Sequence, residues 1–217
     1  MFSKIFPKIH AEGYKFLVIA GIITIIFYIF SSFLGLLGLV LTIWVYYFFR
    51  DPDRIIINDD NYLVSPADGE VIKVEEADGP KELGLENKKF KKISIFMNVF
   101  DCHVNRTPCS GKIEEILYKP GKFVNASLDK ASEDNERNYY KIKDPHNNNI
   151  VLVQIAGLVA RRICCYVSPG DTVQRGARFG FIRFGSRVDV YLPVNSRPLV
   201  TVGDKILAHS SAIANWP

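Results

Sequence analysis

The chain has 217 residues, room for one soluble domain of ordinary size with an appendage, and its 27 Lys and Arg against 23 Asp and Glu leave a formal net charge of +4. That excess is too small, and too free of basic runs with interleaved aromatics, for a nucleic-acid binder, although it gives a mild preference for an anionic leaflet. Four cysteines, Cys102, Cys109, Cys164 and Cys165, suit either a reduced cytosolic domain or two disulfides, and Cys102-His103 with Cys109 has no recognised metal-ligand spacing, so no metal is expected.

The first element is apolar. From Phe16 to Phe49 there are 34 consecutive residues without a charge, whereas one transmembrane helix needs about 20. The run is long for one span and short for two, which predicts a helical hairpin turning near Ser31 to Gly35. No small-x-small cleavage pattern follows it before Arg50, so a signal peptide fits poorly. Lys4, Lys8 and Lys15 precede the run and Arg50 and Arg54 follow it, which predicts both ends on the cytoplasmic side, with the cysteines reduced. Trp44, Tyr46 and Tyr47 near the exit suit an interfacial aromatic belt or packing against the second arm. Residues 1–50 are accordingly read as a membrane anchor and 51–217 as a second domain.

From Asp51 onward, short β-branched runs alternate with Pro, Gly, Asn and Asp. An Asp68-Gly69 turn opens a strand in "LVSPADGEVIKVEEADG", "KKISIFMNVF" is another, and "NYYKIKDPHNNNIVLVQIAG" is two strands around Pro145 to Asn149. One short helix is expected around Ser127 to Asn135. "YVSPGDTVQRGARFG" and "LVTVGDKILAHSSAI" repeat a Gly-Asp turn before a strand, a feature of the barrel-sandwich domains of lipoyl and biotinyl carriers. The fold class expected is mainly β, with a barrel-sandwich domain behind the hairpin. The carrier function does not follow, because those domains present one modified lysine at a hairpin tip and Lys205 is followed by a strand.

The last long strand region, "FGFIRFGSRVDVYLP", is interrupted by Gly185-Ser186. Such a pair is by itself a β-bulge or tight turn. Asp68 is by itself a turn former, His103 a satisfied histidine and the run from Glu133 to Arg137 a solvated loop. In combination, "FFRDP", "SPADG", "HVNR", "SLDKASEDNERN", "QIAGLVARRI" and "FGSRVDVYLP" resemble the phosphatidylserine decarboxylase family, in the short form whose membrane hairpin runs directly into the catalytic domain.

The resemblance implies a precursor that cuts itself between Gly185 and Ser186 into chains 1–185 and 186–217, which stay together as a heterodimer. Ser186 Oγ would attack the Gly185 carbonyl, and elimination with loss of ammonia would convert Ser186 into a pyruvoyl cofactor. Its ketone would form a Schiff base with the serine headgroup of phosphatidylserine in the membrane and accept the electrons released with carbon dioxide, giving phosphatidylethanolamine. His103 is then the candidate for returning a proton and Asp68 the candidate that orients or assists the base activating Ser186. Longer family members carry a second histidine where this sequence has Arg106, so either His103 serves both steps or Asp68 acts more directly. The carboxylate and phosphodiester of the substrate call for cationic donors; Arg137, with Asn135 beside it, Arg106 and the Arg161-Arg162 pair are the candidates. His10, His146 and His209 have no assigned role. Two rival readings are a membrane-tethered β-barrel adaptor, and a membrane serine hydrolase using Ser186, though no G-x-S-x-G elbow surrounds it.

Overall fold

The computed structural model describes residues 6–55, 57, 59–124, 126, 134–157, 162–183 and 186–216. The chain divides into two compact units, Met1–Asp53 with Phe100–His103, and Arg54–Val99 with Val104–Pro217.

The first unit is the hairpin. After a 3-10 turn, Ala11–Gly13, come two helices, α1 (Tyr14–Phe30) and α2 (Ser32–Phe48). One residue joins them. Ser31 is extended, its N–H closes α1 on the Phe27 carbonyl at 3.0 Å, and its Oγ accepts from the Phe33 N–H, capping α2. The arms lie close because Gly35 and Gly38 face Tyr28 and Thr24, where a Cβ at Gly38 would stand 2.9 Å from the Thr24 Cα. Thr24 and Thr42 then meet at 2.9 Å between hydroxyls, the polar contact and small-residue packing that hold helices together in lipid. The outward side chains, among them Ile25, Ile29 and Phe30, are apolar and exposed. Ala11–Phe30 is long and apolar enough to cross a bilayer, while Ser32–Phe48 is shorter. By length, composition and outward apolar surface the first arm has the character of a membrane-associating helix.

The second unit is mainly β, the barrel-sandwich class that the strand pattern indicates. Its principal sheet has eight strands in the order β13 (Lys205–Ile206), β2 (Gly69–Asp78), β3 (Lys89–Met97), β11 (Ser186–Pro193), β7 (Asn149–Ala156), β6 (Arg137–Lys143), β5 (Gly111–Lys119) and β9 (Thr172–Val173). Two three-stranded sheets complete it: β1 (Tyr62–Val64), β14 (Ala212–Asn215) and β12 (Arg197–Pro198), and β4 (Val104–Arg106), β10 (Arg178–Ile182) and β8 (Ile163–Cys165). Alternation along the strands sends Val71, Ile93, Ile95, Leu152, Val188 and Val190 into the main core. The opposite face of the principal sheet is also covered: Leu83 and Leu85, from the segment between β2 and β3, pack on Phe90, Tyr139, Val151, Val153 and Ile155. Gly79 permits that return, since a Cβ there would lie 2.5 Å from the Leu85 carbonyl oxygen.

The position of β11 matters most for function. It is antiparallel to both neighbours, from Ser186 opposite Met97 to Pro193 opposite Phe90 on β3, and from Ser186 opposite Ala156 to Tyr191 opposite Val151 on β7. The strand that begins at Ser186 is therefore central, with main-chain partners on both sides. The short helix expected around Ser127 to Asn135 falls largely outside the described residues.

Candidate active site

Strand register gathers one end of the principal sheet. Glu70 faces Phe96, Ser186 faces both Met97 and Ala156, and Arg137 faces Ile155. Asp68 just before β2, Ser186 at the start of β11, and Asn135 and Arg137 at the start of β6 thus belong to the same edge. Adjacent strands are about 4.8 Å apart, so the starts of β2 and β11, two steps apart, stand about 10 Å from each other.

Ser186 is fully buried and shares its face with Val188 and Val190, so its side chain points into the core. Its Oγ has no hydrogen-bond partner among the described residues, a costly condition for a buried hydroxyl that marks it as a group with another task. Gly185, the other half of the expected cleavage site, lies outside the described residues.

Asp68 is almost completely buried at a turn only glycine can follow. Gly69 has φ of +150°, and a Cβ there would be 2.2 Å from the Phe96 carbonyl oxygen. One Asp68 oxygen, Oδ2, accepts from Arg54 Nη2; the other, Oδ1, accepts from the Ala208 N–H at 2.8 Å. The turn is further fastened by the His209 N–H on the Ser65 carbonyl and the Arg106 N–H on the Pro66 carbonyl, both 2.8 Å. His209 sits at positive φ beside Gly176, and burial, with the charges of Arg106 and Arg175, lowers its pKa.

Asn135 directs its amide to the backbone. Nδ2 donates to the carbonyls of Val124 at 2.7 Å and Ala156 at 2.6 Å, and Oδ1 accepts from the Val124 N–H. It thereby holds the residue that pairs with Ser186. Arg106 is buried and donates from Nη1 to the Gly176 carbonyl at 3.2 Å. Arg137 occupies the opposite face from Ser186, over the Tyr139 ring and 3.7 Å from Glu82, in a cavity of about 600 Å³ shared with Lys92, Lys119, Asp189 and Tyr191. Arg161 lies outside the described residues.

His103 belongs to the hairpin unit, whereas Asp68, Arg106, Asn135, Arg137 and Ser186 belong to the β unit. Its ring is fully buried and packs on Phe48, with centroids 4.4 Å apart. Nδ1 is 3.0 Å from the Asp101 carbonyl, which can only accept, so Nδ1 carries the proton and Nε2 is the basic nitrogen. Burial lowers its pKa to about 4, assisted by the Arg50 charge and opposed by the Asp101 contact. The imidazole is neutral at neutral pH.

Sequence reasoning missed a buried polar chain. Asn138 donates to the Tyr140 hydroxyl (2.6 Å), which donates to Gln154 Oε1 (2.6 Å); Gln154 Nε2 donates to Asn105 Oδ1 (2.7 Å), and Asn105 Nδ2 reaches Met97 Sδ at 3.5 Å. It ends on the cross-strand neighbour of Ser186. Gly180 admits it, because a Cβ there would stand 2.7 Å from Gln154 Nε2. The available signal was Gln154 inside the apolar run "IVLVQIAG". Arg54 was read only as a membrane-flanking charge, although its side chain is committed to Asp68.

The sequence profile described as phosphatidylserine decarboxylase matches residues 41–214. The chain is 70% identical over 214 residues to the phosphatidylserine decarboxylase proenzyme of Pelagibacter ubique, covering 99% of each chain. It is 52% identical over 206 residues to the proenzyme of Ruegeria pomeroyi, covering 95% of this chain and 94% of that one. With the proenzyme of Cereibacter sphaeroides it shares 48% over 215 residues, covering 99% and 93%. Similarity that runs the length of the chain, through the hairpin, the turn that carries Asp68 and the strand that begins at Ser186, means that this protein belongs to the phosphatidylserine decarboxylase family.

Proposed function

We propose that the chain is the precursor of a carboxy-lyase that cuts itself before Ser186 and then converts phosphatidylserine to phosphatidylethanolamine and carbon dioxide. The observation that carries the reading is Ser186: a buried, unpartnered hydroxyl among the described residues, opening the central strand at the same sheet edge as Asp68. The relatives are named proenzymes, which agrees with a chain processed into its active form.

In self-cleavage, Ser186 Oγ adds to the Gly185 carbonyl carbon, the Gly185–Ser186 peptide bond breaks, and an ester forms while the Ser186 nitrogen takes up a proton. Removal of the Ser186 α-proton expels Gly185 as a carboxylate. Water then replaces the nitrogen, which leaves as ammonia, and a pyruvoyl group remains at the start of chain 186–217. Asp68 is the group that orients or assists the base in the first step. Residue 186 suits the group, because its main chain is held between β3 and β7 and its side chain is closed off in the core. When formed, the pyruvoyl group supplies an electron sink for the pair released with carbon dioxide.

His103, neutral with Nε2 basic, takes up a proton from the arriving headgroup and returns it to the α-carbon. Arg106 and Arg137 are the cations proposed for the substrate's anionic groups, Arg137 from the sheet face opposite Ser186; Asn135, two residues before Arg137, fixes the main chain of Ala156, the cross-strand neighbour of Ser186. In this reading the hairpin seats the enzyme on the bilayer, and the Lys and Arg flanks favour a cytoplasmic orientation of the catalytic unit. Chain 186–217 stays docked with chain 1–185, because β11 would otherwise lose its main-chain partners on both sides. The sequence around Ser186, Phe184-Gly185-Ser186-Arg187, is not a G-x-S-x-G elbow, which disfavours the hydrolase alternative. The intact mass of the purified protein under denaturing conditions tests the reading: two pieces, 1–185 and a pyruvoyl-headed 186–217, are expected. A single active chain with unmodified Ser186 would overturn it.

A further inference from the structure

The segment leaving the hairpin, "FFRDPDR", carries two arginines for which the reaction above has no task. Arg50 stands at the end of the hairpin. Its Nη1 donates to the Tyr47 carbonyl at 2.7 Å and its Nη2 to the Phe100 carbonyl at 2.8 Å, while its own carbonyl accepts from Cys102 Sγ at 3.2 Å. With Phe48 under the His103 ring, these bonds strap the segment Phe100–His103 to the hairpin exit. Arg54, four residues on, is 12% exposed and donates from Nη2 to Asp68 Oδ2, leaving Oδ1 to the Ala208 N–H. Arg54 thus holds Asp68 directly, and Arg50 fastens the segment that carries His103 to the hairpin exit.

Resting on the roles proposed for Asp68 and His103, we propose that Arg54 is a positioning residue for Asp68 and sets the rate of self-cleavage, and that Arg50 is a positioning residue for His103 and sets the turnover of the mature enzyme. The two contacts differ in kind. Arg50 bridges two carbonyls with its fork, which an ammonium on a flexible stem does not reproduce. Arg54 makes a one-to-one charge contact with Asp68, which a lysine can make.

The test uses the full chain in its membrane or in detergent. Arg54→Ala should slow the appearance of the cut chains roughly tenfold or more, as expected for a misplaced reacting group. Arg54→Lys should restore most of the rate, and Arg54→Ala with Asp68→Asn should cut no more slowly than Asp68→Asn alone. Mature Arg50→Ala enzyme should lose roughly tenfold in kcat with KM within about twofold. Arg50→Lys should not restore it, and the pH–rate profile of Arg50→Ala should move upward because a positive charge beside His103 is gone. Cutting of Arg54→Ala at the wild-type rate, or a cost that adds in full to that of Asp68→Asn, overturns the first assignment. Unchanged kcat in Arg50→Ala overturns the second. If Arg54→Ala does not accumulate, Arg54→Lys decides: near-normal cutting supports the assignment, and an uncut folded chain overturns it. Normal cutting by Asp68→Asn would instead remove the role given to Asp68 itself, whereas slow Asp68→Asn beside normal Arg54→Ala removes only the present inference.

Discussion

The hairpin and the β unit use the same apolar residue types in opposite ways. In α1 and α2, isoleucine, leucine and phenylalanine face outward, with Ile29 75% and Phe30 78% exposed, and the interior holds Gly35, Gly38 and a threonine pair. In the principal sheet, Ile93, Ile95, Val188 and Val190 are fully buried. Lipid rewards the first arrangement and water the second, so helices in a bilayer associate through small and polar groups while strands in water associate by hiding apolar ones. The division also runs through the chemistry. His103 belongs with the hairpin, and Asp68 and Ser186 with the sheet, so the residue assigned to turnover and those assigned to maturation depend on different surroundings.

The most severe way to probe that division is Ser186→Ala, which removes the nucleophile and keeps the strand. The expected product is one uncut chain with no decarboxylase activity, read by intact mass and product formation. Its fold should be retained, because alanine matches the buried site between Met97 and Ala156.

The next effect is on pH and belongs to the hairpin side. The His103 pKa is lowered to about 4 from an ordinary 6.5, so the unfolded chain binds the proton more readily. Stability from this group is fully present above pH 6.5 and is lost as pH falls toward 4, by about 3 kcal/mol in all. His209, also lowered by burial, acts in the same direction. Denaturant unfolding of the uncut Ser186→Ala chain at pH 7 and pH 4.5 checks this, and adding His103→Gln should flatten the dependence.

On the sheet side, Gly69→Ala puts a Cβ against the Phe96 carbonyl at a backbone conformation alanine resists. A loss of about 2 kcal/mol is expected, together with slower self-cleavage because Asp68 is displaced; unfolding midpoints and cutting half-times read the two effects. Smallest is Phe48→Ala, which takes the aromatic floor from under His103. Turnover of the mature enzyme should fall by roughly tenfold, with the cutting rate much less affected. An equal loss in both would erase the distinction between the two units.

Much of the local structure was legible because its causes are local. An uncharged run of 34 residues can only be helical in lipid, and the serine that joins its arms, Ser31, lies in the stretch where the turn was expected. Strand pattern and turn residues likewise indicated a mainly β unit, and the motif around Gly185-Ser186 singled out Ser186. Only the tertiary structure decided that β11 enters between β3 and β7, that Asp68 is shared by Arg54 and by Ala208, 140 positions further on, and that Gln154 bridges Tyr140 and Asn105. It also decided that Arg137 faces away from Ser186 and that His103 rests on Phe48. Alternation along a strand states which residues share a face but not which strand lies alongside. Pairing between distant segments is selected by the joint packing of both sheet faces, and a buried carboxylate or imidazole takes whichever partner that packing brings within reach.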